Sequence, residues 1–343
     1  MKLRSHIVLF MAVCLLSSCA VRDDYIAVSG YAQGGIYTVK LNLRGADGKK
    51  VGMSPEAIKA GIDSIITLVD TTFSGYNKAS VLSRWNAGEE VSFNGIFREL
   101  YGFSYDLYSR SGGAFNVAAG PLFDLWGFGF TSDSLQRDPD ALRKQEEAVR
   151  QVLPTVEMPS LQQLESGVSH PRLNFNAVAQ GFTCDLVAGW LGSLGVKDML
   201  VDIGEIFCQG FNPSHKPWSV GIDRPVDGNN TPGADLDGIW QADGGAYGVV
   251  TSGNYRKFYI RDGKKYAHTI DPRTGWPVTH NLLSATIIAR NATIADAYAT
   301  YCMVIGLDAA KEFISSEEGV EAYLIYDDEG TMREWRSEGF SLR

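Results

Sequence analysis

Four segments carry side chains able to do chemistry. In Ala267-His268-Thr269-Ile270-Asp271-Pro272-Arg273-Thr274-Gly275, an Asp-Pro and Thr-Gly turn follows a strand and would hold His268 at the strand's end in a fixed orientation. An imidazole placed there suits proton transfer near neutral pH, although the same residues also describe a plain β-turn. In Ile294-Ala295-Asp296-Ala297-Tyr298-Ala299-Thr300, Asp296 and Thr300 are four apart, so on a helix a carboxylate and a hydroxyl project from one face and can meet at one point. Mg²⁺ takes such hard oxygens and needs few from protein when phosphates complete its shell. The competing account is a carboxylate favoured by the positive end of a helix, with Thr300 merely packed.

The third segment, Asn174 through Asp185, enters a helix through the small residues Ala177, Ala179 and Gly181 around Gln180. Small residues let a backbone approach a ligand, and helix-start amides attract phosphate; close packing needs the same residues. The fourth runs from Ser111-Gly112-Gly113-Ala114-Phe115-Asn116 to Leu125-Trp126-Gly127-Phe128-Gly129. Glycines beside Phe115, Trp126 and Phe128 suit a slot for a flat ring system, or an ordinary aromatic core.

The elements that must position these segments can be read from periodicity. Apolar residues at Ile58, Ile62, Ile65, Ile66 and Val69 give one face of a helix over residues 55–72. Further helices are expected at 97–110, 178–194 and 294–305, and strands at 36–41, 199–203, 218–222, 245–251, 257–260, 283–289 and 322–326. Residues 131–144 look like a polar surface insertion, and 223–243, rich in Gly, Asn, Pro and Asp, like a loop. Helices and strands mix without a strict βαβ rhythm, so the expected class is α+β with a large antiparallel component.

The N-terminus reads as an address. Lys2 and Arg4 precede an apolar run from Ile7 to Leu16, too short to span a bilayer, and Leu16-Ser17-Ser18-Cys19 resembles the bacterial lipobox. Residues 1–18 are thus expected to be a signal peptide, Cys19 the lipidated first residue, 19–28 a tether and 29–343 one folded domain. The product would be exported, held on a bacterial membrane by its lipid and facing the periplasm. The formal charge of −9 becomes more negative by two when Lys2 and Arg4 leave, and no basic run follows, which argues against nucleic acid as a partner. Cys184, Cys208 and Cys302 sit in apolar contexts and are expected to be buried thiols, with a Cys184–Cys208 bridge as the alternative. The five histidines show no zinc-ligand spacing with the cysteines.

Taken in order, these segments resemble the ApbE family, the FAD:protein FMN transferases once described as thiamine-biosynthesis lipoproteins, from about residue 30 to 306. Ala32-Gln33-Gly34-Gly35-Ile36-Tyr37 is similar to the family's start, and Ser74-Gly75-Tyr76 with Ser80 and Asn86 to its Ser-x-Tyr element. Gly112 to Asn116, the following Gly-Pro-Leu and Leu-Trp-Gly-Phe-Gly, Thr251-Ser252-Gly253-Asn254-Tyr255, the His-x-Ile-Asp-Pro-Arg-Thr-Gly run and Ala-Asp-Ala-x-Ala-Thr complete the match. The chain departs from the pattern at Gln180, where the family commonly has lysine, at Asn116 in place of aspartate, and at Gly204-Glu205, where two glycines are usual.

The resemblance implies an ApbE-like, T-fold-like architecture with FAD in a central cleft. It implies Mg²⁺-dependent transfer of FMN from FAD to a Thr or Ser hydroxyl, releasing AMP. Asp296, Thr300 and the Ala177 carbonyl would hold Mg²⁺, and His268 would take the acceptor's proton. Gln33, Tyr76, Ala114, Phe115, Asn116, Gln180 and Ile270 would line the FAD site. The acceptors it implies are membrane redox proteins, such as subunits of sodium-pumping quinone reductase or Rnf-type complexes. Splitting of FAD to FMN and AMP, and non-enzymatic FAD carriage, are the alternatives.

Overall fold

The computed structural model describes residues 24–343 apart from 46–47, 131–140, 230 and 262. In chain order its elements begin with β1 (Tyr25–Ala32), β2 (Gly35–Asn42), α1 (Pro55–Phe73), α2 (Val81–Asn86), α3 (Gly95–Arg110), α4 (Gly120–Leu125), α5 (Ala141–Val152), α6 (Leu161–Glu165) and α7 (Ala179–Ser193). There follow β3 (Met199–Asp202), β4 (Ile206–Gln209), β5 (Ser219–Asp223), β6 (Leu236–Gln241), β7 (Tyr247–Gly253), β8 (Phe258–Arg261), β9 (Lys264–Ala267), β10 (Ile270–Asp271) and β11 (Trp276–Pro277). The chain closes with β12 (Leu282–Ala289), α8 (Ala292–Ile305), α9 (Leu307–Ser316), β13 (Glu321–Asp328) and β14 (Thr331–Arg336).

Eight strands form one antiparallel sheet in the order β1-β2-β3-β4-β7-β12-β13-β14. The α+β class with a large antiparallel sheet is therefore as expected. One face of the sheet carries the helices. Val39, Leu41, Met199 and Val201 meet Ile58 and Ile62 of α1 and Val187 and Leu191 of α7, while Val250, Ala285 and Ile287 meet Ala295, Ala299 and Met303 of α8. The other face is covered by the β5–β6 hairpin and the C-terminal segment, through Trp218, Val220, Trp240 and Phe340. Central strands buried on both sides read as continuous apolar runs, which is how β12 appears in the sequence.

Local chemistry sets the helix ends. Ser54 accepts a hydrogen bond from the Ala57 amide at 3.2 Å ahead of Pro55, and Asn291 does the same for Ile294 at 2.9 Å. α8 is built almost wholly of small and apolar residues because it lies between the sheet and α7, buried on several sides.

Several expectations need correction. Residues 25–28, assigned to the tether, are the first half of β1, and the 223–243 loop contains β6, hydrogen-bonded to β5. The insertion at 131–144 falls partly outside the described residues; from Ala141 it is α5, whose Gln145 and Val149 are buried. Cys19 and the signal segment also lie outside the described residues. Among those residues no helix is long and apolar enough to cross a membrane.

Candidate active site

The site forms where α7 passes the start of α8. Asp185, on α7, accepts hydrogen bonds from the Ala292 and Thr293 amides, both at 2.8 Å, and from the Thr293 hydroxyl at 2.5 Å. These free amides of a helix start need acceptors, and the carboxylate supplies them from another helix. Burial pushes the Asp185 pKa up, and the Thr293 and Ala292 hydrogen bonds oppose that rise.

Gly181 makes the crossing possible. A methyl group at its Cβ position would sit 2.7 Å from Asp296 Cβ and closer still to the Ala292 carbonyl, so only glycine lets α7 approach α8 this closely. Gly181→Ala is accordingly expected to cost about 1–3 kcal/mol of stability through overpacking. Denaturant unfolding with an unchanged midpoint would refute that close approach.

The same approach brings the Gly181 amide to Asp296 Oδ2 at 2.9 Å, the one hydrogen bond donated to this carboxylate among the described residues. Asp296 is 4% exposed. Burial raises its pKa to about 7, against the pull of the Gly181 amide, and the neighbouring Asp185 charge adds to the rise. One turn along, Thr300 Oγ1 lies 3.5 Å from Ser252 Oγ at the end of β7. Glu205, between β3 and β4, faces the same region. Burial holds its carboxyl well above the usual range, Asp296 and Asp202 add to that, and Arg256 opposes it. Arg256 is itself bound to Asp223 at 2.5 Å and to the Asn229 carbonyl at 3.3 Å.

A hard cation fits this donor set. A buried carboxylate with few donors and a raised pKa is stabilised as an anion by positive charge, and Thr300, one turn along α8, offers an oxygen ligand of the right type. Among the described residues no three His, Cys, Asp or Glu side chains gather as a metal cluster, so an ion here would depend on substrate oxygens to fill its shell.

His268 stands between β9 and β10. Its amide and its Nδ1 both lie 3.1 Å from the Lys257 carbonyl oxygen. A carbonyl only accepts, so Nδ1 must carry the proton, and Nε2 is left with the lone pair. Burial first, then the Lys257 charge, pushes the imidazole pKa down to about 4. The ring is therefore neutral at physiological pH. Next to it, Thr269 donates to Asn254 Oδ1 at 2.6 Å, tying the histidine's segment to the turn that follows β7. Two hydrogen bonds, Thr269 to Asn254 just after β7 and Ser252 to Thr300 at the end of β7, tie the segments that carry His268 and α8 to the same strand end.

The proposed flavin-lining residues divide. Gln33, at φ 49° in the β1–β2 turn, donates from Nε2 to Thr183 Oγ1 at 2.7 Å and docks the hairpin tip on α7. Gln180 donates to the Ile203 carbonyl at 3.2 Å, lying over Gly204, where a Cβ would come 2.6 Å from Gln180 Nε2. Tyr76 is mostly exposed, with its ring edge-on to Phe130 at 5.1 Å. Ala114 is fully buried, and Phe115 is buried in the main core. Asn116 is occupied by the Ala118 amide and the Val156 carbonyl, both at 2.7 Å. Ile270 is buried in a satellite core with Trp126, whose indole donates to the Gly275 carbonyl at 2.8 Å. The aromatic slot suggested by Phe115 and Trp126 is thus core packing, and Phe128 alone of the three is partly accessible, edge-on to His268 at 6.3 Å. Cys184, Cys208 and Cys302 are buried free thiols.

The sequence profile of the ApbE family matches residues 34–324. The chain belongs to the ApbE family. Among similar ApbE relatives, the FAD:protein FMN transferase of Escherichia coli K12 is 30% identical over 311 residues, covering 88% of this chain and 84% of the relative. That of Haemophilus influenzae is 30% identical over 336 residues, covering 94% and 93%. The apo crystal structure of Pseudomonas stutzeri flavinyl transferase ApbE superposes with a TM-score of 0.75 at 29% identity, over 92% of this chain and 95% of that one. The flavin transferase ApbE of Vibrio cholerae shares the fold, with a TM-score of 0.74 at 24% identity over 92% and 98%.

Proposed function

We propose that this protein transfers FMN from FAD to a threonine or serine hydroxyl of an exported redox protein. The observation that carries the reading is the orientation-locked, neutral His268, whose neighbour Thr269 is bonded to Asn254 just past the end of β7, where Ser252 meets Thr300 of α8. Family membership supplies the reaction class.

In the reaction, the acceptor hydroxyl oxygen bonds to the FMN-side phosphorus. The phosphorus bond to the bridging oxygen breaks, and that oxygen leaves with its electron pair as part of AMP. His268 Nε2 takes the hydroxyl proton, and the Lys257 carbonyl keeps the ring turned for it. The α7 helix start and Gln180 border the pyrophosphate region. Gln180 contributes a neutral amide there, so this chain brings no charge at that position. Asp296, Thr300 and the Ala177 carbonyl would hold Mg²⁺, which when bound neutralises pyrophosphate charge.

Lipidation at Cys19 places the enzyme on a bacterial membrane facing the periplasm. Acceptors of the sodium-pumping quinone reductase or Rnf type would lie within reach there, at raised effective concentration. The test is incubation with FAD, Mg²⁺ and such an acceptor domain. In-gel flavin fluorescence on the acceptor is the expected result. Release of AMP without labelled protein would make the enzyme a hydrolase, and neither product would make it a carrier.

A further inference from the structure

We propose that Asp185 is a positioning residue for the cation site: by bridging α7 to the first turn of α8, it holds Asp296 and Thr300 at the spacing from the α7 entry that Mg²⁺ requires. This rests on the reading of Asp296 and Thr300 as Mg²⁺ ligands.

The bridge is a second fastening of one helix crossing. On α7, Gly181 and Asp185 are four residues apart and share a face, as Ala292 and Asp296 do on α8. The Gly181 amide meets Asp296 Oδ2 at 2.9 Å. One turn further along α7, about 5.4 Å, the Asp185 carboxylate meets the Ala292 and Thr293 amides, both at 2.8 Å. A single fastening at Gly181 would leave α8 free to swing about it. The second removes that freedom.

Capping alone does not account for Asp185. α8 has a cap of its own, because Asn291 Oδ1 accepts from the Ile294 amide at 2.9 Å. The Ala292 and Thr293 amides are helix-start donors that water can serve equally well. Here a carboxylate 107 and 108 positions away in the chain takes both, and the Thr293 hydroxyl, at 2.5 Å, adds a third donor. Three donors on one partly buried carboxylate fix its own orientation as well as the helix it grips.

The consequence for the site follows from what Mg²⁺ tolerates. It demands near-octahedral geometry with oxygens at about 2.0–2.1 Å. The oxygens proposed for it come from both sides of the crossing, Asp296 and Thr300 from α8 and Ala177 from the entry of α7. A small swing of α8 would spoil that set without unfolding the protein. Replacing residues that orient ligands from outside the coordination shell typically costs about 10–100-fold in metal affinity.

The test compares Asp185→Asn with Asn291→Ala in the full-length protein. Asparagine keeps the shape and one acceptor oxygen, so it loosens the bridge, whereas Asn291→Ala weakens the same helix start without touching α7. Mg²⁺ is titrated into each protein holding an FAD analogue with a methylene-bridged pyrophosphate, and the rise in Tm gives the half-saturating concentration. Asp185→Asn is expected to raise that concentration about 10–100-fold, to regain the native transfer rate with FAD once Mg²⁺ saturates, and to bind the analogue normally in chelator. Asn291→Ala is expected to lower the unfolding midpoint and leave half-saturation in place. Thr293→Val, which removes one donor from the bridge, should shift half-saturation in the same direction by less, and it carries the test if Asp185→Asn does not fold. Unchanged half-saturation in the bridge variants overturns the proposal, as does an equal shift in Asn291→Ala, which would make Asp185 an ordinary cap. Weakened analogue binding in chelator also overturns it. No Mg²⁺ response in the native protein would overturn both this role and the ligand reading beneath it.

Discussion

His268→Ala should lower flavin transfer by about 10²–10⁴-fold, the usual loss of a general base, while FAD binding persists. His268→Asn refines the test. Its side-chain amide can still donate to the Lys257 carbonyl as Nδ1 does, but it offers no basic nitrogen where Nε2 stood. The asparagine variant should therefore fold as the native chain does and remain as inactive as alanine. Single-turnover transfer, followed by in-gel fluorescence with FAD binding measured in parallel, separates the two. Substantial transfer by His268→Asn would mean that the ring only orients the acceptor. The pH profile gives an independent check. Burial lowers the imidazole pKa from 6.5 to about 4, so the neutral base predominates above that value. At saturating Mg²⁺, which keeps Asp296 ionised, transfer should stay level from neutral pH to about pH 5 and fall as the ring protonates below it. A half-loss near 6.5 would show an ordinary, solvated histidine.

The helices that carry the candidate site are more legible in the sequence than the sheet they pack on. α7 and α8 were bounded to within two residues because small and apolar residues run through both, and the Asp296–Thr300 spacing needs nothing beyond helical geometry. The partners of those residues were invisible because they are distant in the chain. Asp185 caps a helix more than a hundred positions away, and Glu205 reaches Asp296 only after the sheet has formed. The missed strands share a different cause. β14 is exposed along most of its length and β6 lies in a Gly- and Asp-rich stretch, so neither shows the buried alternation that marks a strand. The first half of β1, residues 25–28, reads as a tether because the strand's alternation is weak, with only Val28 and Ala32 buried along it. Aromatic residues misled in the other direction. Phe115 and Trp126 suited a flavin slot by type, and burial made them core.

The second large effect is expected at Asp296. Asp296→Asn retains an oxygen to accept the Gly181 amide, so the α7–α8 crossing should survive, but it removes the buried negative charge. Flavin transfer should then fall to background and Mg²⁺ should no longer restore it. Thermal unfolding gives a readout that does not pass through activity. A ligand bound only by the folded state stabilises it by about 2.7 kcal/mol at a hundredfold excess over Kd, so Mg²⁺ with a non-reactive FAD analogue should raise the Tm of the native enzyme and leave that of Asp296→Asn in place. The metal-free protein has its own signature. Folding raises the Asp296 pKa from 3.8 to about 7, so between those values the folded state holds a proton that the unfolded chain releases. This group's contribution is full at low pH and is lost as pH rises through about 7. In chelator, the stability difference between the native enzyme and Asp296→Asn should therefore shift against the native chain from pH 5 to pH 8, and Mg²⁺ should reverse the shift. A pH-independent difference would mean that the carboxylate is already ionised without a cation, and that its burial does not prepare it to hold one.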